Sequence, residues 1–115
     1  MAEKIKLVQG DTRPAIVCSI TDETTGAVIP LTGATVVLKF RLAGSTTLTA
    51  TVAGAVTDGP NGKVAFYPAS SPEMLQGEPG DYEGEIEITF SDAQVQTVYD
   101  LLKFKVRKEI GRAHV

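Results

Sequence analysis

Glu83, Glu85 and Glu87, spaced two apart, are the residues of this chain whose type and spacing best suit chemistry. On a strand they project from one face, each about 6.5–7 Å from the next. Carboxyl pairs at that separation suit an inverting glycosidase, in which one group protonates the leaving oxygen and the other activates a water. Such a pair also needs a cleft and one carboxyl held protonated by its surroundings. A glutamate stripe on a strand's polar face is expected instead to be solvated, or paired across a sheet with Lys103, Lys105 and Arg107. Cys18 is the next candidate. A thiol nucleophile needs a base, and the single histidine, His114, lies in the final residues. Cys18 runs in phase with Ile16 and Ile20, so it is expected to face the core as a small hydrophobe. One cysteine excludes an intrachain disulfide.

The remaining chemistry is thinner. One His and one Cys do not make a structural zinc site. Asp22-Glu23 and Asp58 are the candidates for a weak calcium site, but they fall in polar turns and no spacing resembles an EF-hand loop. The glycines occur in turns without the strand-to-helix context of a phosphate loop. Tyr67 and Tyr99 are the candidates for a sugar-stacking platform; core or hairpin packing is the expectation for both. The inventory therefore implies no catalytic residue, no cofactor and no metal, and a protein that is not an enzyme.

Composition narrows the partners. The chain of 115 residues has the size of one domain, read as a single domain over 1–108 with a tail or docking segment at 109–115. Apolar residues at 43% and charged residues at 22% are ordinary for a globular protein, which argues against disorder. A formal charge of −3 argues against nucleic acid, whose phosphates are bound by excess cations. The one basic cluster is Lys103, Lys105, Arg107, Lys108 and Arg112, expected as a solvated strand face. No apolar run is long enough to span a membrane, and Met1-Ala2-Glu3-Lys4-Ile5-Lys6 lacks the apolar stretch of a secretion signal. Synthesis in the cytoplasm and no membrane partner are expected.

The elements that must position these residues read as strands. Ile5–Val8 is a short first strand, followed by a turn at Gln9–Pro14 in which Gly10, Asp11 and Pro14 supply the turn chemistry. A second strand runs from Ala15 to Asp22, and Ala27–Leu31 follows a polar turn. Thr35–Leu42 alternates cleanly, with Val36, Leu38, Phe40 and Leu42 inward. Thr47–Val52 alternates with Leu48, Ala50 and Val52 in phase, and Gly54 reads as a turn. Lys63–Tyr67 is another strand. Ser71 as N-cap, Pro72 at the first position and Gly77 as stop predict one helical turn near 71–76. Pro79-Gly80 then leads into Asp81–Phe90, where Tyr82, Gly84, Ile86, Ile88 and Phe90 point one way and the glutamates the other. The last strand, Val95–Arg107, changes phase at Leu101-Leu102 and needs a bulge or a crossing between faces there. Seven to eight short strands with frequent turns predict an all-β, immunoglobulin-like antiparallel sandwich, and Gly80-Asp81-Tyr82 looks like a tyrosine corner.

Three segments together resemble one family. They are Leu7-Val8-Gln9-Gly10-Asp11-Thr12-Arg13-Pro14, Leu31-Thr32-Gly33-Ala34-Thr35-Val36, and Pro79-Gly80-Asp81-Tyr82-Glu83-Gly84-Glu85-Ile86. In this order they resemble the N-terminal immunoglobulin-like domain of tailed-phage upper baseplate proteins and related small phage tail proteins. The resemblance spans about residues 5–107. It implies a structural protein of a bacteriophage virion, in the baseplate, tail or neck, whose partners are other phage structural proteins and copies of itself in a homo-oligomer. A capsid decoration or a receptor- or glycan-binding module is the alternative. The residues it carries over are fold determinants and not ligand contacts: Gly10, Asp11 and Pro14 at the first turn, Gly33 at the second, and Gly80, Asp81 and Tyr82 at the corner.

Overall fold

The computed structural model describes residues 5–9, 15–22, 24–68, 72–75, 77–98 and 101–108. Gly10, Asp11 and Pro14, Glu23, the predicted N-cap Ser71, Tyr99, His114 and the 109–115 segment lie outside them. Eight strands follow one another: β1 (Ile5–Val8), β2 (Ile16–Ser19), β3 (Thr35–Leu42), β4 (Leu48–Asp58), β5 (Lys63–Phe66), β6 (Gly80–Thr89), β7 (Val95–Thr97) and β8 (Leu102–Arg107). They form one mixed sheet in the order β1-β8-β6-β3-β4-β5-β2, with β7 also on β6, curled into a half-barrel.

The all-β expectation holds. Two finer expectations do not. The sheet is not wholly antiparallel, because β1 pairs with β8 in parallel register, Ile5 opposite Phe104 and Val8 opposite Arg107. No α-helical turn forms near 71–76 among the described residues; Pro72–Leu75 is a 3-10 turn. A single capped turn offers too few hydrogen bonds to offset helix nucleation. Burial of Met74 and Leu75, on a turn that packs against β4, is what this segment contributes instead.

The core follows period-2 alternation. Val36, Leu38 and Phe40 of β3, Tyr82, Ile86 and Ile88 of β6, and Phe104 and Val106 of β8 fill the concave side, with Ala50, Val52, Val64 and Phe66 continuing it around the curl. Phe40 stacks on Tyr82 at 4.7 Å between ring centroids and meets Phe104 edge-on at 5.0 Å. Gly84 sits among these rings because a side chain would not fit: a Cβ there would lie 2.6 Å from Leu38 Cδ1 and 3.0 Å from Phe104 Cε1. Leu42, expected inward, is 43% exposed, and Leu48 is exposed too, since both lie at the end of the β3–β4 pair beyond a register shift at Phe40/Arg41.

Gly54 is not a turn. It lies within β4, where the strand leaves β3 and takes up β5: Ala53 is the last residue paired to β3 and Gly54 the first paired to β5. At this corner a Cβ would come within 2.7 Å of Val64 Cγ2, 2.8 Å of Phe66 Cε1 and 3.1 Å of the Val36 carbonyl oxygen. The glycine permits the close approach that bends the sheet. The phase change near Leu101-Leu102 is a register gain. Thr97 pairs with Glu87 and Leu102 with Gly84, so the register against β6 shifts by two residues between β7 and β8. Val98 still donates its N–H to the Ile86 carbonyl at 2.8 Å. Val95 is exposed, as is all of β7.

Replacing Gly54 by alanine sets a gain in unfolded-state rigidity, about 0.4–1 kcal/mol, against overpacking of about 1–3 kcal/mol. A backbone oxygen is among the atoms that would have to give, so overpacking wins. Urea melts of Gly54→Ala should show a net loss of about 1–2 kcal/mol; an unchanged or raised midpoint contradicts the corner geometry.

Candidate functional site

The convex face of β3, β6 and β8 carries the charged side chains. Alternation sends Lys39 and Arg41, then Asp81, Glu83, Glu85 and Glu87, then Lys103, Lys105 and Arg107 outward, and the registers set Arg41 and Lys103 directly opposite Glu83 on either side. Arg41 places Nη2 2.9 Å and Nε 3.0 Å from Glu83 Oε1, while Lys103 Nζ reaches Oε2 at 3.5 Å. Lys39 bonds Glu87 diagonally at 3.1 Å, and Lys105 lies 4.0 Å from Asp81. The acidic row of the central strand is thus bracketed by cations from both neighbours, as expected for Lys103; Lys39 and Arg41 are the partners that sequence alone did not bring in, because pairing of β3 with β6 is a property of topology.

This geometry opposes acid catalysis. Hydrogen bonding from Arg41, aided by its charge and by Lys103, holds the Glu83 carboxyl below its usual value of about 4.5 against the opposing effect of burial. A general acid needs the reverse. Glu83 is also less solvated than a free stripe would be, its side chain being 12% exposed.

The other candidates separate in space. Cys18 packs beside the core, where burial pushes its thiol upward and disfavours the nucleophilic thiolate. Asp22 Oδ1 accepts the backbone N–H groups of Thr24 and Thr25 at 2.8 and 3.0 Å, and Asp58 accepts from Asn61 Nδ2 at 2.9 Å. Both carboxylates serve their own turns, and no group of three or more potential metal ligands occurs among the described residues. Tyr67, expected to be packed, is 40% exposed because its strand ends at Phe66. A shallow cleft of about 190 Å³, lined chiefly by Thr21, Asp22, Thr24, Gln96 and Thr97, was not visible in the sequence, since it joins residues more than seventy positions apart.

Gly33 turns the chain at φ +75°, closed by the Ala34 N–H donating to the Leu31 carbonyl. Gly80 has φ +148° and begins β6. Asp81 is half-exposed beside Lys105. Tyr82 is buried, and its hydroxyl donates to the Glu78 carbonyl, four residues upstream, at 2.6 Å. Gln9 Nε2 donates to the neighbouring Gly77 carbonyl at 2.8 Å. The Tyr82 side chain of β6 itself and that of Gln9, just past β1, therefore hold the segment that feeds β6. No protein family and no curated protein matches this chain. The reading of its function consequently rests on the residues and the fold.

Two predictions follow from these contacts. Tyr82→Phe keeps the ring stack and deletes the hydroxyl, leaving the Glu78 carbonyl short of a donor; it should cost about 1–2 kcal/mol in denaturant melts, and a change near zero would mean the bond does not hold the entry to β6. For Glu83 the folded value is depressed, so its contribution is complete above the unfolded value near 4.5 and is lost as pH falls through the folded value. Glu83→Gln should therefore be less stable than wild type at pH 7, with the gap closing below about pH 4. A gap that stays constant or widens on acidification contradicts the ion-pair assignment.

Proposed function

We propose that this chain is an immunoglobulin-like sandwich that serves as a structural part of a tailed-phage virion, in the baseplate, tail or neck, acting by protein–protein contact and not by catalysis. The observation that carries the reading is the ordered set of three motifs, at residues 7–14, 31–36 and 79–86. Topology supports the fold assigned to it. The strands β3, β6 and β8 correspond in order to C, F and G of an immunoglobulin sandwich, and β2, β5 and the second half of β4 to B, E and D. In that correspondence Tyr82 falls near the start of strand F with its hydroxyl bonded upstream, where a tyrosine corner belongs.

The pairing of Glu83 with Arg41 and Lys103 supports a non-enzymatic role, and the partners are other phage structural proteins and further copies of this chain. The protein is made in the cytoplasm of the host bacterium and ends in the virion. Glycan binding is a second reading, favoured by the polar cleft beside Thr21 and Gln96 and by exposed Tyr67. Mass spectrometry of purified phage particles should find the chain at a fixed copy number, and the isolated protein should self-associate at high concentration. Absence from particles together with strictly monomeric behaviour overturns the assembly reading; saturable binding on a glycan array by a multimeric form would favour the second.

A further inference from the structure

The sheet ends at β1 on one side and at β2 on the other, and neither outer edge carries a further strand among the described residues. The β1 edge has a defined chemistry. Gln9 donates its N–H to the Arg107 carbonyl at 2.9 Å. Along a strand, alternate residues turn N–H and C=O the same way. Ile5 and Leu7 therefore address β8 as Gln9 does, and Lys6 and Val8 turn their backbone groups toward the open edge.

Charge accompanies this edge. On the solvent face Lys6 stands opposite Lys105 and Val8 opposite Arg107. With Leu7 these residues line a groove of about 350 Å³. Among the described residues, the carboxylates that pair with cations of β8, Asp81 with Lys105 and Glu83 with Lys103, come from β6 on the far side of β8. Lys6 and Arg107 enter no ion pair among the described residues; Arg107 donates only to the Lys108 carbonyl. Like charges facing each other across a strand pair are destabilising, and the Lys6–Lys105 repulsion is offset only on the Lys105 side, by Asp81 at 4.0 Å. On the opposite, inner side of the same edge lie Leu7, in the core, and Ile5, packed against it.

We propose that the β1 edge accepts an extended acidic polypeptide segment as an added strand, bonded to the backbone of Lys6 and Val8, with carboxylates on Lys6, Lys105 and Arg107 and apolar side chains beside Ile5 and Leu7. The occupant is a partner protein whose strand alternates acidic and apolar residues. Strand addition gains affinity from backbone bonds and selects by alternate side chains, and an unprotected edge in a native protein is otherwise an aggregation liability. As an account of assembly the proposal rests on the reading above, of which it supplies the partner's chemistry.

The test uses the full chain at low salt and a labelled peptide alternating glutamate and valine, with a lysine–valine peptide and single-stranded DNA as competitors. Saturable binding is expected, with amide shifts concentrated at Lys6, Val8, Lys105 and Arg107. Lys6→Glu with Arg107→Glu should weaken it at least about tenfold. Val8→Pro removes an N–H that faces solvent and not β8, which an edge strand tolerates, and should weaken binding without unfolding the sheet. No binding, or binding that both variants leave unchanged, overturns the proposal. So does DNA binding that outcompetes the acidic peptide and survives Val8→Pro, which would assign the patch to phosphates. Failure here with the chain still present in particles sinks only the edge proposal; peptide binding with no chain in particles sinks only the assembly reading.

Discussion

The bond from the Tyr82 hydroxyl to the Glu78 carbonyl is the constraint on which the rest of the arrangement depends. It fixes where the chain enters β6, and β6 is the strand that carries most of the sheet. One of its edges is paired to β3 from Thr35 through Leu42; the other is shared by β7 and β8. Moving the entry by one residue would exchange the faces of the whole strand, putting glutamates into the core and Ile86 and Ile88 into water. The same ring that anchors the hydroxyl stacks on Phe40, so the register of β3 against β6 is set by the side chain that sets the start of β6.

From that register the charge pattern follows. Once Tyr82 and Phe104 are inward and opposed, Glu83 must meet Lys103 on the other face, and Arg41 must meet Glu83 from β3. Individually, partly exposed pairs near a surface contribute little, about 0–1 kcal/mol. Their consequence is elsewhere: Asp81, Glu83 and Glu87 of β6 are paired within the sheet, and Lys6 and Arg107, without an ion pair among the described residues, face outward at the β1 edge. An acidic protein thus presents a local basic margin.

Much of this was legible in the chain. Thr35–Leu42 and the Tyr82–Ile88 alternation are visible because one face is apolar and the other charged, and the corner is visible because Gly80-Asp81-Tyr82 combines a turn with a tyrosine in core phase. Gly54 was misleading: a glycine in a strand signals either a break or a close approach, and only the positions of Val64, Phe66 and Val36 decide between them. The parallel β1–β8 pair was hidden because it joins the two ends of the chain, and a four-residue strand has no pattern that reports its neighbour. Leu42 and Tyr67 departed from their expected burial for a shared reason. Both sit at strand ends, where alternation persists but the sheet that would cover them does not.

The sheet is locked around β6 and its β1 edge carries no further strand among the described residues. Residue-resolved amide hydrogen exchange on the isolated chain tests it most directly. The amides of Leu38, Phe40, Glu83 and Glu87 should exchange only through global unfolding, while those of Lys6 and Val8, on either side of protected Leu7, should exchange without protection. Protection at Lys6 and Val8 equal to that of β6 would contradict it, because the edge would then already be covered.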